Sequence, residues 1–143
     1  MKDKFILTLE SLYAGWADII ITSGNENIRI RASDVLYDTL SDFIEIAIHL
    51  LNGYDCKRSV YQELSLKSDE ISIEANIKPD RNIELKIGMT IILCTIQRFA
   101  RQVLQIFDSY KYEHGVDEYE AEWRYRFPEK KLETLRDLLQ INK

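Results

Sequence analysis

Two stretches around a single turn restrict what this chain can fold into more than any other feature. Ile71, Ile73, Ala75 and Ile77 alternate with Ser72, Glu74 and Asn76. After Pro79-Asp80-Arg81-Asn82 the alternation resumes, with Ile83, Leu85 and Ile87 set against Glu84 and Lys86. A period of two puts the apolar residues on one face of a strand and the polar residues on the other, and the Pro-led tetrapeptide is a turn. One wet face and one covered face describe an antiparallel sheet with helices packed on one side. Asn27–Ala32 carries the same pattern after the turn Ser23-Gly24-Asn25-Glu26, with Ile28 and Ile30 opposing Arg29 and Arg31. Phe5–Tyr13 and Trp16–Thr22 are rich in β-branched and aromatic residues, as strands are. Val60–Leu66 is a less regular strand. Met89–Cys94 reads as a last strand, with a helix start as the alternative.

The period changes to 3–4 in the other segments. Ser33 and Asp34 offer N-cap oxygens to a helix running to Asn52, stopped by Gly53, with an inner stripe of Leu36, Leu40, Phe43, Ile44, Ala47, Leu50 and Leu51. A second helix runs from about Thr95 to Tyr112 with Ile96, Phe99, Ala100, Val103, Phe107 and Tyr110 inward. Asp117 and Glu120 have capping-box spacing for a short helix through Trp123. Pro128 opens a terminal helix with Leu132, Leu135, Leu138 and Leu139 inward. The expected fold is α+β: an antiparallel sheet of five to six strands with helices packed on one face, in the order β-β-α-β-β-β-(β)-α-α-α. The 143 residues suit a single domain over 1–143.

Charge and cysteine usage narrow the setting. There are 24 acids against 19 bases and a pI near 5.1, so nucleic acid is not an expected partner. No apolar run approaches the ~20 residues that span a bilayer. The apolar stretch between Lys4 and Glu10 falls short of the ~7–15 residues of a signal-peptide core. Cys56 and Cys94 lack metal or redox spacing and are expected as thiols in a reducing compartment. The expectation is a soluble cytoplasmic protein with no membrane partner.

Motifs that carry chemistry do not emerge. The five glycines are scattered singly, so there is no phosphate-binding loop or nucleotide fingerprint. Of the two histidines, His49 has Glu45 four residues before it, a spacing that suits a surface ion pair. His114 suits a helix C-terminus. No catalytic, cofactor-binding or metal-binding residue is assigned and no cofactor is expected. A small enzyme built on carboxylates remains an alternative.

Two acidic surfaces are the candidates for function. Asp34, Asp38, Asp42 and Glu45 recur every three or four residues on the first helix with no base among them, and are expected to face water as one strip. The segment Asp108–Phe127 interleaves acids with rings. Tyr119, Trp123 and Phe127 fall at four-residue spacing and are expected in the core, which leaves Tyr112, Glu113, Glu118, Glu122 and Tyr125 for recognition. Aromatic anchors beside fixed acids suit a basic protein partner.

Gly15-Trp16-Ala17-Asp18-Ile19, the helix from Ser33 to Leu51, Phe99-Ala100-Arg101-Gln102-Val103-Leu104, Tyr119-Glu120-Ala121-Glu122-Trp123 and Phe127-Pro128 together resemble a family of short uncharacterised bacterial proteins. That resemblance supports the fold and implies no catalytic residue. In size, acidity and lack of a catalytic constellation the chain is also similar to the immunity proteins of bacterial polymorphic and contact-dependent toxin systems. This implies a protein that neutralises a cognate, basic toxin domain by direct binding. The other reading within the binding class is a homodimeric scaffold or regulatory domain.

Overall fold

The computed structural model describes residues 4–64 and 67–141. The elements run β1 (Ile6–Tyr13), β2 (Trp16–Ser23), β3 (Glu26–Ser33), α1 (Thr39–Leu51), β4 (Cys56–Leu64), β5 (Lys67–Ile77), β6 (Asn82–Ile87), β7 (Thr90–Thr95), α2 (Ile96–Glu113), α3 (Val116–Trp123) and α4 (Glu129–Ile141). All seven strands form one antiparallel sheet in chain order. The class is α+β, as expected, but seven strands replace five to six, and three of them precede the first helix. The expected order counted Phe5–Tyr13 and Trp16–Thr22 as one strand, but they are two, joined by a tight two-residue loop. Tyr13 pairs with Trp16 across Ala14 and Gly15, whose φ values of 50° and 85° suit a type I′ turn. Ile87 pairs with Thr90 across Gly88 at φ 58° and Met89. Met89–Cys94 therefore resolves as a hairpin strand, and Thr95 ends it by accepting from the Arg98 amide as the N-cap of α2. The last two residues of the expected strand Val60–Leu66 lie outside the described residues.

The alternation does what a period of two requires. Ile19 faces Ile30, Ile73 faces Ile87, and Leu85 faces both Ala75 and Ile92, all buried. Their neighbours Arg29, Arg31 and Lys86 are exposed on the other face. The same core contains Phe43, Ile44 and Ala47 of α1, Phe99, Ala100 and Val103 of α2, and Leu132 and Leu135 of α4. Tyr119, Trp123 and Phe127 are buried in it as expected. Cys56 and Cys94 are buried thiols on β4 and β7, with two strands between them.

The start of the first helix is a correction. Its N-cap is Asp38, whose carboxylate accepts from the Ser41 amide at 3.2 Å. Asp34 lies upstream of the helix. Its amide donates to Gly15 O and its carbonyl accepts from the Tyr125 hydroxyl, so residues 34–37 are held by other parts of the chain rather than by helical bonds. Leu36 is accordingly 56% exposed and leaves the inner stripe. The capping box at α3 is also absent. Gly115 occupies the N-cap position and Asp117 sits inside the first turn, while Glu120 accepts from the Phe127 amide at 2.8 Å and fixes the link to α4.

Tyr119 carries a buried hydroxyl with no hydrogen-bond partner. Its ring packs on Tyr110, Phe107 and Phe127, and burial pushes its ionisation well above the ordinary tyrosine value. A buried polar atom without a partner costs on the order of 1–3 kcal/mol. Tyr119→Phe keeps the ring and removes the oxygen, so it should raise unfolding free energy by about 1 kcal/mol in urea titration.

Candidate partner-binding groove

A groove of about 910 Å³ runs along the outer edge of the sheet, between β1 and α2, and ends against α3. It forms because α2 packs beside β1 without pairing with it. At one end the Arg98 side chain donates from Nε to Phe5 O at 2.7 Å, and Gln102 Oε1 accepts from the Leu7 amide at 3.0 Å. At the other end Glu122 of α3 closes the wall. Its carboxylate accepts from the Ala14 amide at 2.9 Å, and its carbonyl accepts from the Gly15 amide at 2.6 Å. The turn glycine is required there twice over. A Cβ on Gly15 would stand 2.6 Å from Asp34 Oδ1, and its φ of +85° disfavours any L side chain. Between these ties β1 carries a register shift between Leu9 and Ser11, a bulge that re-aims side chains at the rim.

The lining is acidic. Glu10, Glu113, Glu118 and Glu122 are among its lining residues, and its basic side chains among the described residues are Arg98 and His114. Glu10 is held by Arg29 of β3 at 3.0 Å across an exposed surface. Glu118 collects two neighbours, His114 Nδ1 at 2.7 Å and the Tyr110 hydroxyl, which donates to Oε2 at 3.2 Å. The Tyr110 and His114 rings pack in a tilted contact, 4.6 Å between centroids. Burial first, and Glu118 second, push the Tyr110 ionisation up to about 12, so its hydroxyl remains a donor at neutral pH. Glu10, Glu118 and Glu122 are each engaged within the chain, and Glu113, 66% exposed, is the carboxylate most open to a cationic group, with Ile6, Leu12 and Ile106 as apolar contacts along the groove.

The nine residues expected at the binding surface separate into three sets. Glu113, Glu118 and Glu122 line the groove. Tyr112 projects into solvent from α2 at 92% exposure and lies outside the groove. The third set, Asp34, Asp38, Asp42, Glu45 and Tyr125, lies at the N-terminal end of α1 and is engaged internally. Asp38 accepts from Trp123 Nε1 at 2.7 Å as well as from Ser41. Asp42 lies 3.8 Å from Arg58 of β4, and Glu45 lies 2.9 Å from Lys131 of α4. Asp34 has Arg124 at 3.7 Å and is largely covered. Tyr125 donates to Asp34 O at 2.7 Å and packs its ring on Trp123. The strip is therefore neutralised by bases from distant elements and does not stand free in water. Burial raises the Asp38 and Asp42 carboxyls above their ordinary values, with Arg58 opposing the shift at Asp42. The expected Glu45–His49 ion pair is replaced by a bond between His49 Nδ1 and the Glu45 carbonyl at 2.7 Å.

Glu10, Tyr110 and His114 join the groove without having been expected there. Gln102 and Ile106, both buried, carried the available signal. A glutamine inside the apolar stripe of an amphipathic helix marks a point where the helix meets open backbone. No group of three or more metal-ligating side chains occurs among the described residues. Comparison with known protein families, characterised proteins and solved structures finds no match to this chain.

Proposed function

We propose that the protein is a binding module for a basic protein domain, engaged through the β1–α2 groove, and that it acts as an immunity protein neutralising a cognate bacterial toxin. The observation that carries this reading is the convergence of Glu10, Glu113, Glu118 and Glu122 on one groove with an aromatic donor, Tyr110, at its wall. Toxins that act on nucleic acid present Lys and Arg to an anionic substrate, and an acidic inhibitor can occupy the same site. Such a role belongs in the cytoplasm of the protected cell.

The reading is tested on the gene immediately upstream. If that frame encodes a large secreted protein, its C-terminal domain expressed alone should arrest growth, and co-expression of this chain should restore it. Glu113→Lys with Glu118→Lys alters exposed side chains and should leave the fold intact. It should slow association about 10-fold or more and weaken its salt dependence, because charges of this kind act mainly on encounter. Stopped-flow rates at low and physiological salt read this directly. Unchanged rates in a folded variant would remove the groove from the interface.

A further inference from the structure

The two edges of the sheet are built differently, and the difference has a use. The β1 edge is bulged and tied to helices by Arg98, Gln102 and Glu122. These are the devices that keep an edge strand from pairing with another chain. Among the described residues the β7 edge has none of them between Thr90 and Leu93. Its register with β6 is unbroken, and Thr90-Ile91-Ile92-Leu93-Cys94-Thr95 contains no proline and no charge. No strand lies beyond β7 among the described residues. Three large apolar side chains stand exposed along it, Met89 at 94%, Ile91 at 51% and Leu93 at 62%.

We infer that β7 is the seam of a homodimer, in which the β7 strands of two copies pair antiparallel about a two-fold axis at Ile92 and join the two sheets into one. Hairpin geometry selects this register. Ile87 and Thr90 close a two-residue loop and so form a hydrogen-bonded pair, which directs the backbone groups of Thr90 and Ile92 toward β6. The backbone groups of Ile91 and Leu93 point away from the sheet. Centring the axis on Ile92 sets Ile91 of each copy opposite Leu93 of the other, with all four outward-directed donors and acceptors of each pair matched. The same register clusters both isoleucines and both leucines on the exposed face. The charges also suit a second copy. Lys86 lies beside Ile91 and Glu84 beside Leu93 on β6, so each row across the seam begins with Lys86 of one copy and ends with Glu84 of the other. No like charges face each other along the seam. The acidic groove is lined by β1, at the other end of the strand order. The seam residues Thr90, Ile91, Ile92 and Leu93 are not among those that line the groove.

Sedimentation equilibrium of the full chain from about 5 µM to about 500 µM reads the state. The weight-average mass should climb from 16.9 kDa toward twice that value. Ile91→Lys with Leu93→Lys should hold it at the monomer value with unchanged circular dichroism. Ile91→Thr with Leu93→Thr keeps residues suited to a strand and should shift the midpoint at least 10-fold if the lysine pair fails to fold. Ile91→Cys with Leu93→Cys, oxidised, should give a covalent dimer on a non-reducing gel. A parent protein that stays at 16.9 kDa throughout, or folded variants that associate as the parent does, would overturn the inference.

Discussion

Trp123→Ala should lower the unfolding free energy by about 3–5 kcal/mol, the range for removing a fully buried large aromatic side chain. Trp123 is completely buried, and its indole N–H donates to Asp38, the N-cap of α1. The substitution opens a cavity between α3 and α1 and strips one of the two donors from a carboxylate that is already half-buried. Trp123→Phe separates the two effects, since it keeps most of the volume and loses only the donor; about 1–2 kcal/mol is expected. The partner carboxylate adds a pH signature. Burial raises the Asp38 carboxyl, so the folded protein keeps that proton to higher pH than the unfolded chain does. Its contribution to stability is present below the ordinary carboxylate value and is lost as pH rises through the raised one. Asp38→Asn can still accept from Trp123 and Ser41 but does not titrate. Its stability relative to the parent should therefore increase with pH across that window in parallel denaturant titrations.

Phe99→Ala and Phe43→Ala should each cost about 3–5 kcal/mol. Both side chains are completely buried, on α2 and α1, and the Phe99 ring lies 5.7 Å from that of Phe5 beside β1. The Phe99 variant should also loosen the floor of the groove, because Phe5 leads into the strand that forms it. Hydrogen exchange at Leu7 and Leu9 should accelerate more in Phe99→Ala than in Phe43→Ala, even where the two lose equal stability. Equal protection in both would separate the groove from the α2 packing.

The elements legible in the sequence are those whose burial is set by neighbours a few residues away. Ile71–Ile77 and Ile83–Ile87 alternate because each has one covered face, and that pattern survives whatever lies beyond the turn. Tyr119, Trp123 and Phe127 were legible for the same reason. The start of α1 was not. Ser33 and Asp34 look like caps on local chemistry, but Gly15, Tyr125 and Arg124 claim Asp34, and Asp38 is selected as cap with Trp123 behind it. The acidic strip failed likewise: no Lys or Arg lies within its own helix, and Arg58 and Lys131 reach it from β4 and α4. The groove was half legible. Glu113, Glu118 and Glu122 were visible as acids among rings, whereas Glu10 comes to them from more than a hundred residues away through sheet order, which no local period encodes.

The ties that finish the β1 edge set an order of events during synthesis. Leu7 and Gln102 are separated by 95 residues, and Ala14 and Glu122 by 108. At about 5–20 residues per second, the first hairpin leaves the ribosome some 5–20 s before the groups that seal its rim exist. Throughout that interval the nascent chain displays β1 with its backbone bare, next to the apolar strand Trp16–Ser23. The bulge at Leu9–Ser11 is local and needs no partner from later in the chain. It is a safeguard of that rim already present in the emerging polypeptide, and its irregular register protects the newborn hairpin from its neighbours on a polysome before the helices arrive.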